Sequence, residues 1–97
     1  MIFEIGKHLV LSTAHVTEED AQLLPKCKLW TVLDYSYGFF LPVPSLGEPD
    51  QLEEILSTSD LPRSVHGLIR IAYIQDCTWL QLDADGPVVD MLPKYDW

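Results

Sequence analysis

Basic residues are scarce in this sequence. Six lysines and arginines stand against fifteen aspartates and glutamates, which gives a formal charge of −9 at pH 7. Contacts with nucleic-acid phosphates need clustered Lys and Arg side chains, and the six here are scattered: Lys7, Lys26, Lys28, Arg63, Arg70 and Lys94. The composition therefore argues against direct nucleic-acid binding. A negative surface of this size favours a basic surface on a partner protein.

Cysteines are also few, and long apolar runs are missing. Cys27 and Cys77 are too far apart to form a disulfide framework, and neither lies in a C-x-x-C pair. No apolar run approaches the ~20 residues of a membrane-spanning helix, and the amino terminus lacks the pattern of a signal peptide. We therefore expect reduced, largely buried thiols in a cytoplasmic protein without membrane contact.

Motifs for cofactors and metals are absent as well. The five glycines form no nucleotide-binding loop. His15 with Cys27, and His66 with Cys77, are potential zinc ligands, but zinc sites usually contain at least one pair of ligands two to five residues apart. We expect neither a cofactor nor a bound metal.

Apolar and aromatic residues are plentiful. The hydrophobic fraction is 47%, and the chain contains three tryptophans, four tyrosines and three phenylalanines. A chain of 97 residues with this composition can bury one core without disulfides or metals. We expect a single folded domain spanning residues 1–97.

The hydrophobic pattern predicts an α+β fold with the element order β-α-β-β-α-α-β-β. Short β-branched or aromatic runs predict strands over residues 7–12, 29–33, 37–43, 78–82 and 88–91. Capping and spacing patterns predict helices that begin at Thr17 or Glu18, at Pro49 and after Asp60. Asp85 and Gly86 are typical of a hairpin turn. The expected architecture is one two-layer domain, a mostly antiparallel sheet of four to five strands with about three helices on one face.

Two polar clusters could carry chemistry. Ser12 and His15 lie where a strand meets a helix, but no G-x-S-x-G turn surrounds Ser12. These residue types commonly bind local backbone groups, and we expect that role here. Asp83 and Asp85 resemble the start of a calcium loop, yet the third ligand and the final glutamate are missing. A hairpin turn explains this pair better.

The last fifteen residues combine acids with large apolar side chains. Charged tails are usually disordered, but Met91 and Leu92 indicate that this one folds back and holds its acids on a fixed surface. Its aromatic residues could either complete the core or bind a partner, since Tyr and Trp are enriched among the residues that dominate interface energetics. The candidate partner-binding residues are Asp83, Asp85, Asp90, Tyr95, Asp96 and Trp97.

Three stretches together resemble a family of bacterial and phage proteins of roughly 100 residues, classed as a domain of unknown function. They are "STAHVT", "GLIRIAYIQD" and "CTWLQLDADGPVVDMLPKYDW", and the closing D-x-D-G…L-P-x-Y-D-W is the most specific. Members of this family are encoded on plasmids, prophages and integrative elements, near antirestriction genes. The resemblance implies an accessory protein with a role in counter-defence, and it implies no catalytic residues.

The leading functional hypothesis is a small, acidic, non-enzymatic binding protein. It would inhibit a defence system, as anti-CRISPR and antirestriction proteins do, by occupying the basic, nucleic-acid-binding surface of a partner. One alternative is a small hydrolase or metal-dependent enzyme built on Ser12 with His15 and on Asp83 with Asp85. The other alternative is a housekeeping protein-interaction module.

Overall fold

The computed structural model describes residues 6–45 and 48–96. It contains four strands, β1 (His8–Ser12), β2 (Leu33–Tyr35), β3 (Gly38–Pro42) and β4 (Trp79–Asp83), and three helices, α1 (Glu18–Leu23), α2 (Pro49–Thr58) and α3 (Arg63–Ile74). Short 3₁₀ turns cover Thr13–His15 and Leu24–Lys26. The α+β fold predicted from the sequence is confirmed.

The strands lie in the order β1-β4-β3-β2, so β4 is an inner strand with a neighbour on each side. It runs parallel to β1, with Leu80 beside Leu9 and Leu82 beside Leu11. It runs antiparallel to β3, which in turn pairs antiparallel with β2. Two of the three pairings are therefore antiparallel, as expected, and the parallel one joins the first strand to the last.

The core lies on one face of the sheet. Side chains alternate between the two faces of a strand, and the buried sheet residues Leu11, Leu41, Leu80 and Leu82 share one face by register. Against them packs one stripe of α3, whose buried side chains recur with helical spacing: Val65, Leu68, Ile69 and Ala72. Leu52 and Leu56 of α2 belong to the same core. The helices thus cover one face, as predicted.

The start of α1 agrees with its capping pattern. The Thr17 hydroxyl accepts a hydrogen bond from the Asp20 amide at 3.0 Å, which satisfies one of the free amides of the first turn. The Asp20 carboxylate in turn accepts hydrogen bonds from the amide and the hydroxyl of Ser64, at 3.1 and 2.6 Å. The first turn of α1 therefore also caps α3, through the side chain of Asp20.

The strand predicted over residues 29–33 is wrong except at its last residue, because β2 begins at Leu33. The amides of Lys28 and Leu29 instead donate to the carboxylate of Asp60, at 2.6 and 3.2 Å. These hydrogen bonds occupy donors that a strand would need for its ladder. The Lys28 amide, above all, lowers the pKa of Asp60. Asp60 therefore fixes the loop at Lys28 and Leu29. It does not cap α3, which begins after Pro62.

The strand predicted over residues 88–91 is also wrong. The turn at Asp85 and Gly86 forms, closed by a 2.9 Å hydrogen bond from the Gly86 amide to the Asp83 carbonyl. A returning strand would have to pair with β4, but both edges of β4 are already occupied. The chain instead crosses the end of β1, where the Ser12 amide donates to the Pro87 carbonyl at 2.9 Å.

We expect Thr17→Ala to lower the free energy of unfolding by about 1 kcal/mol, because the Asp20 amide loses its cap. Urea titration measures the change as a shift in midpoint. Thr17→Ser keeps the acceptor oxygen and should leave most of the stability in place. Equal midpoints for the wild type and the alanine variant would show that this cap contributes nothing.

We expect Gly67→Ala to raise the free energy of unfolding by up to about 1 kcal/mol. Gly67 lies inside α3, and an added Cβ would meet nothing within 4 Å, so the gain is the difference in helix propensity. Gly38→Ala is the control, since its Cβ would overlap the Leu82 carbonyl oxygen and should destabilise the protein. Thermal unfolding of the two variants should move in opposite directions.

Candidate binding surface

The carboxy-terminal segment, residues 84–96, has no helix or strand but is fixed on the domain. The Pro87 carbonyl accepts from the Ser12 amide, and the Tyr95 amide donates to the Ala14 carbonyl at 2.8 Å. Leu92 packs against the hydrophobic core. The segment therefore folds back, as its apolar residues predicted, and both of its ends are tied to the strand-to-helix junction that follows β1.

His15 is the main link between this segment and the core. Its side chain is only 1% exposed. Nε2 accepts a hydrogen bond from the Val89 amide at 3.0 Å, and Nδ1 lies 2.7 Å from the Pro93 carbonyl oxygen. An amide can only donate and a carbonyl can only accept, so these partners assign the ring proton to Nδ1. One buried ring thus satisfies two backbone groups of an irregular segment.

Ser12 has a separate structural role. It is buried, and its hydroxyl accepts from the Ala14 amide at 3.0 Å, which caps the 3₁₀ turn Thr13–His15. Within the described residues no hydrogen bond joins Ser12 to His15, and both nitrogens of His15 have backbone partners. This geometry provides no nucleophile-and-base pair at the junction.

Asp83 belongs to a polar network at the end of β4. Its carboxylate accepts from the Tyr35 hydroxyl at 2.5 Å and from the Asp85 amide at 2.8 Å, and Gln81 donates to the same hydroxyl at 3.1 Å. The Tyr35 hydrogen bond, followed by the Asp85 amide, lowers the pKa of Asp83. Partial burial, followed by the bond to Asp83, raises the pKa of Tyr35. Asp83 therefore supports the fold, and Asp85 projects from the turn into solvent.

The remaining candidate residues lie along the carboxy-terminal segment. Asp90 is exposed and forms a 3.0 Å ion pair with Lys94, an interaction that contributes little at a surface. Tyr95 and Asp96 line a shallow cleft together with Glu18 and Glu19 of α1. Asp96 thus lies near the acids of α1 in a cleft that Lys94 also lines, and Asp83 has a different set of neighbours. Trp97 lies outside the described residues.

No sequence pattern indicated that Glu18, Glu19 and Tyr35 lie beside the candidate binding residues. The contact between α1 and the segment depends on His15 and Ala14 reaching residues about eighty positions away. No local pattern specifies such a pairing. The capping pattern from Thr17 to Asp20 was a partial indication of this surface, because it places Glu18 and Glu19 in the exposed first turn of α1.

Large apolar side chains alternate with the acids along the segment. Met91 is 93% exposed and Val88 is 51% exposed, and Val89 and Tyr95 are each 37% exposed. Apolar groups that a folded segment leaves in solvent are available for contact with another molecule. Exposed acids and apolar side chains on a fixed backbone form a surface suited to binding a protein.

The candidate metal ligands are engaged elsewhere. The Cys27 thiol donates to the Asp60 carbonyl at 3.5 Å, and burial, followed by the charge of Asp60, raises its thiol pKa. His66 donates to the Leu61 carbonyl at 2.9 Å. In the described part of the chain, no three His, Cys, Asp or Glu side chains are grouped closely enough to hold a metal ion. In the same part, no helix has the length and apolar character needed to cross a membrane.

We expect His15→Ala to lower the free energy of unfolding by about 3 kcal/mol, because the Val89 amide and the Pro93 carbonyl both lose a partner and a cavity forms. Amide hydrogen exchange should accelerate at Val89. Ser12→Ala, which removes one hydrogen bond at the same junction, should have a smaller effect. Unchanged exchange at Val89 in the His15 variant would contradict the role assigned to this ring.

Comparison with known proteins assigns the chain to a family without assigning an activity. No curated protein and no solved structure shows significant similarity to it. A family profile described as the C-terminal domain of a family of unknown function (DUF5983) matches residues 8–97. The match includes all four strands, all three helices and the carboxy-terminal segment. The chain belongs to the DUF5983 C-terminal domain family.

Proposed function

We propose that this chain is a non-enzymatic protein-binding domain whose acidic carboxy-terminal segment occupies a basic, nucleic-acid-binding surface of a partner. The observation that carries the proposal is the attachment of that segment. Its acids and apolar side chains are exposed, while its backbone is held by the buried ring of His15. A surface that is ordered before binding loses little conformational entropy when a partner docks.

Charge supports a basic partner. The exposed acids of this surface come from two parts of the chain, α1 and the segment: Glu18, Glu19, Asp85, Asp90 and Asp96. Within a chain of net charge −9, they would attract a positive surface before contact and accelerate association. Met91 and Tyr95 would then bury apolar area and slow dissociation.

The sequence resemblance supports a role in counter-defence. It connects the chain to bacterial and phage accessory proteins encoded on plasmids and prophages near antirestriction genes. Defence nucleases and their complexes bind nucleic acid through clustered Lys and Arg side chains. An acidic domain that covers such a cluster would act as a DNA mimic and inhibit the defence protein. The hydrolase alternative has weaker support, because Ser12 and His15 are occupied by backbone groups.

The test is capture of partners from a native host lysate at low and high salt. A variant with Asp85, Asp90 and Asp96 changed to Asn should lose the captured protein, because it removes charge and keeps side-chain shape. A control with Asp50→Asn, Glu54→Gln and Asp76→Asn removes the same charge from exposed sites outside the surface. The control should retain the partner.

Kinetics with the captured partner then separate the two contributions. The triple Asn variant should associate more slowly, and Tyr95→Ala should mainly dissociate faster. Surface plasmon resonance at two salt concentrations measures both rates. Binding that is insensitive to salt, or equal loss in the control variant, would exclude occupation of a basic surface by this segment.

A further inference from the structure

The sheet face opposite the core is lined by apolar and aromatic side chains. The register puts Leu33, Phe40, Gln81 and Val10 in one row across the four strands. A second row contains Tyr35, Gly38, Asp83 and Ser12, of which Gly38 and Ser12 are buried, and a third contains Pro42, Trp79 and His8. None of these residues belongs to the core or packs against it. Within residues 6–45 and 48–96, the helices that bury the core are on the other face. We call these three rows the open sheet face.

The rings of this face form one cluster around Phe40. Its ring centroid lies 5.1 Å from that of Tyr35, 6.1 Å from that of His8 and 6.4 Å from that of Trp79. Tyr37 extends the cluster in the turn after β2, 6.4 Å from Tyr35, and is 61% exposed. These edge contacts and the sheet backbone hold the rings in place. The rings of Tyr35, Phe40 and Trp79 are partly exposed, and grouped apolar side chains that reach solvent are a common feature of interaction sites.

The charge of the face determines what it can accept. Among its described side chains Asp83 is the acid, and neither Lys nor Arg is present. The carboxylate of Asp83 is charged near neutral pH, and the hydrogen bond from Tyr35 lowers the pKa of Asp83 further. Aromatic faces carry partial negative charge and attract cations, arginine more often than lysine. Rings beside a carboxylate are therefore complementary to a guanidinium group.

A single-stranded nucleic acid is the other polymer that binds aromatic side chains on a sheet. Such sites also need basic side chains along the path of the phosphates. The open sheet face has none among its described residues, and the chain has a net charge of −9. Electrostatics therefore favour a basic peptide over RNA or DNA.

We infer that the open sheet face is a second contact surface, which binds an arginine-containing segment of a partner protein. Guanidinium groups would stack on the cluster around Phe40, and one of them would pair with Asp83. The inference rests on the proposed function in one respect, the basic character of the partner. It adds a surface that the carboxy-terminal segment does not include.

The test is a titration of isotope-labelled protein with the peptide acetyl-Arg-Gly-Arg-Gly-Arg-amide. NMR chemical shifts report which residues the peptide contacts. Shifts should concentrate on β2, β3, β4 and the Trp79 indole. The same peptide with citrulline in place of arginine keeps the shape without the charge and should bind about tenfold more weakly. Phe40→Leu, which keeps an apolar side chain and removes the central ring, should weaken arginine-peptide binding about fivefold.

Ile74→Ala is the matched control, because it removes an exposed apolar side chain from the end of α3, outside the carboxy-terminal segment, and leaves the cluster around Phe40 intact. It should bind the arginine peptide as the wild type does. Shifts confined to residues 84–96 and α1 would overturn the inference and leave the proposed function standing. Equal binding of the citrulline peptide would exclude a cation site. If hexauridylate binds the face more tightly than the arginine peptide does, the proposed peptide ligand is wrong and the ligand is RNA.

Discussion

The occupation of both edges of β4 is the constraint on which the rest of the structure depends. Because β1 and β3 flank this strand, the chain that leaves it at Asp83 has no sheet edge beside it to join. It must cross the end of β1 and continue without the hydrogen-bond ladder that stabilises a strand. His15 supplies two of the missing backbone partners from a buried position. An irregular segment is thereby fixed to the domain, and most of its side chains stay in solvent.

The same topology explains why the two faces of the sheet differ. The long connection between β3 and β4 contains α2 and α3, and both helices bury their apolar stripes on one side. The opposite side receives the alternate residues of every strand, which here include Tyr35, Phe40 and Trp79. A sheet with one solvated face normally carries polar residues there. Aromatic residues at these positions are therefore unusual, and they suit the contact with another molecule that we propose.

Sequence patterns predicted the elements whose signals are local. The cap at Thr17 and the apolar stripe of α3 needed only neighbouring residues, and both are confirmed. The strand over residues 29–33 failed because Asp60, about thirty residues away, takes the amides of Lys28 and Leu29. A long-range contact also decides the surroundings of Asp83, one of the candidate binding residues. Asp83 lies in an acidic stretch near the carboxy terminus, where an exposed side chain is expected. A hydrogen bond from Tyr35, which is distant in sequence, instead makes it part of the fold.

Some carboxylates consequently stabilise the fold by accepting hydrogen bonds, and others are exposed and do not. Asp60 and Asp83 accept hydrogen bonds that lower their pKa values. Since the folded protein prefers them ionised, their stabilising effect is complete above the unfolded pKa of about 4 and disappears as the pH falls through the lowered values. Exposed acids such as Asp85 and Asp96 have no such partners among the described residues, and their mutual repulsion opposes folding. A basic partner of the kind we propose would reduce that repulsion, and these exposed acids would then favour complex formation.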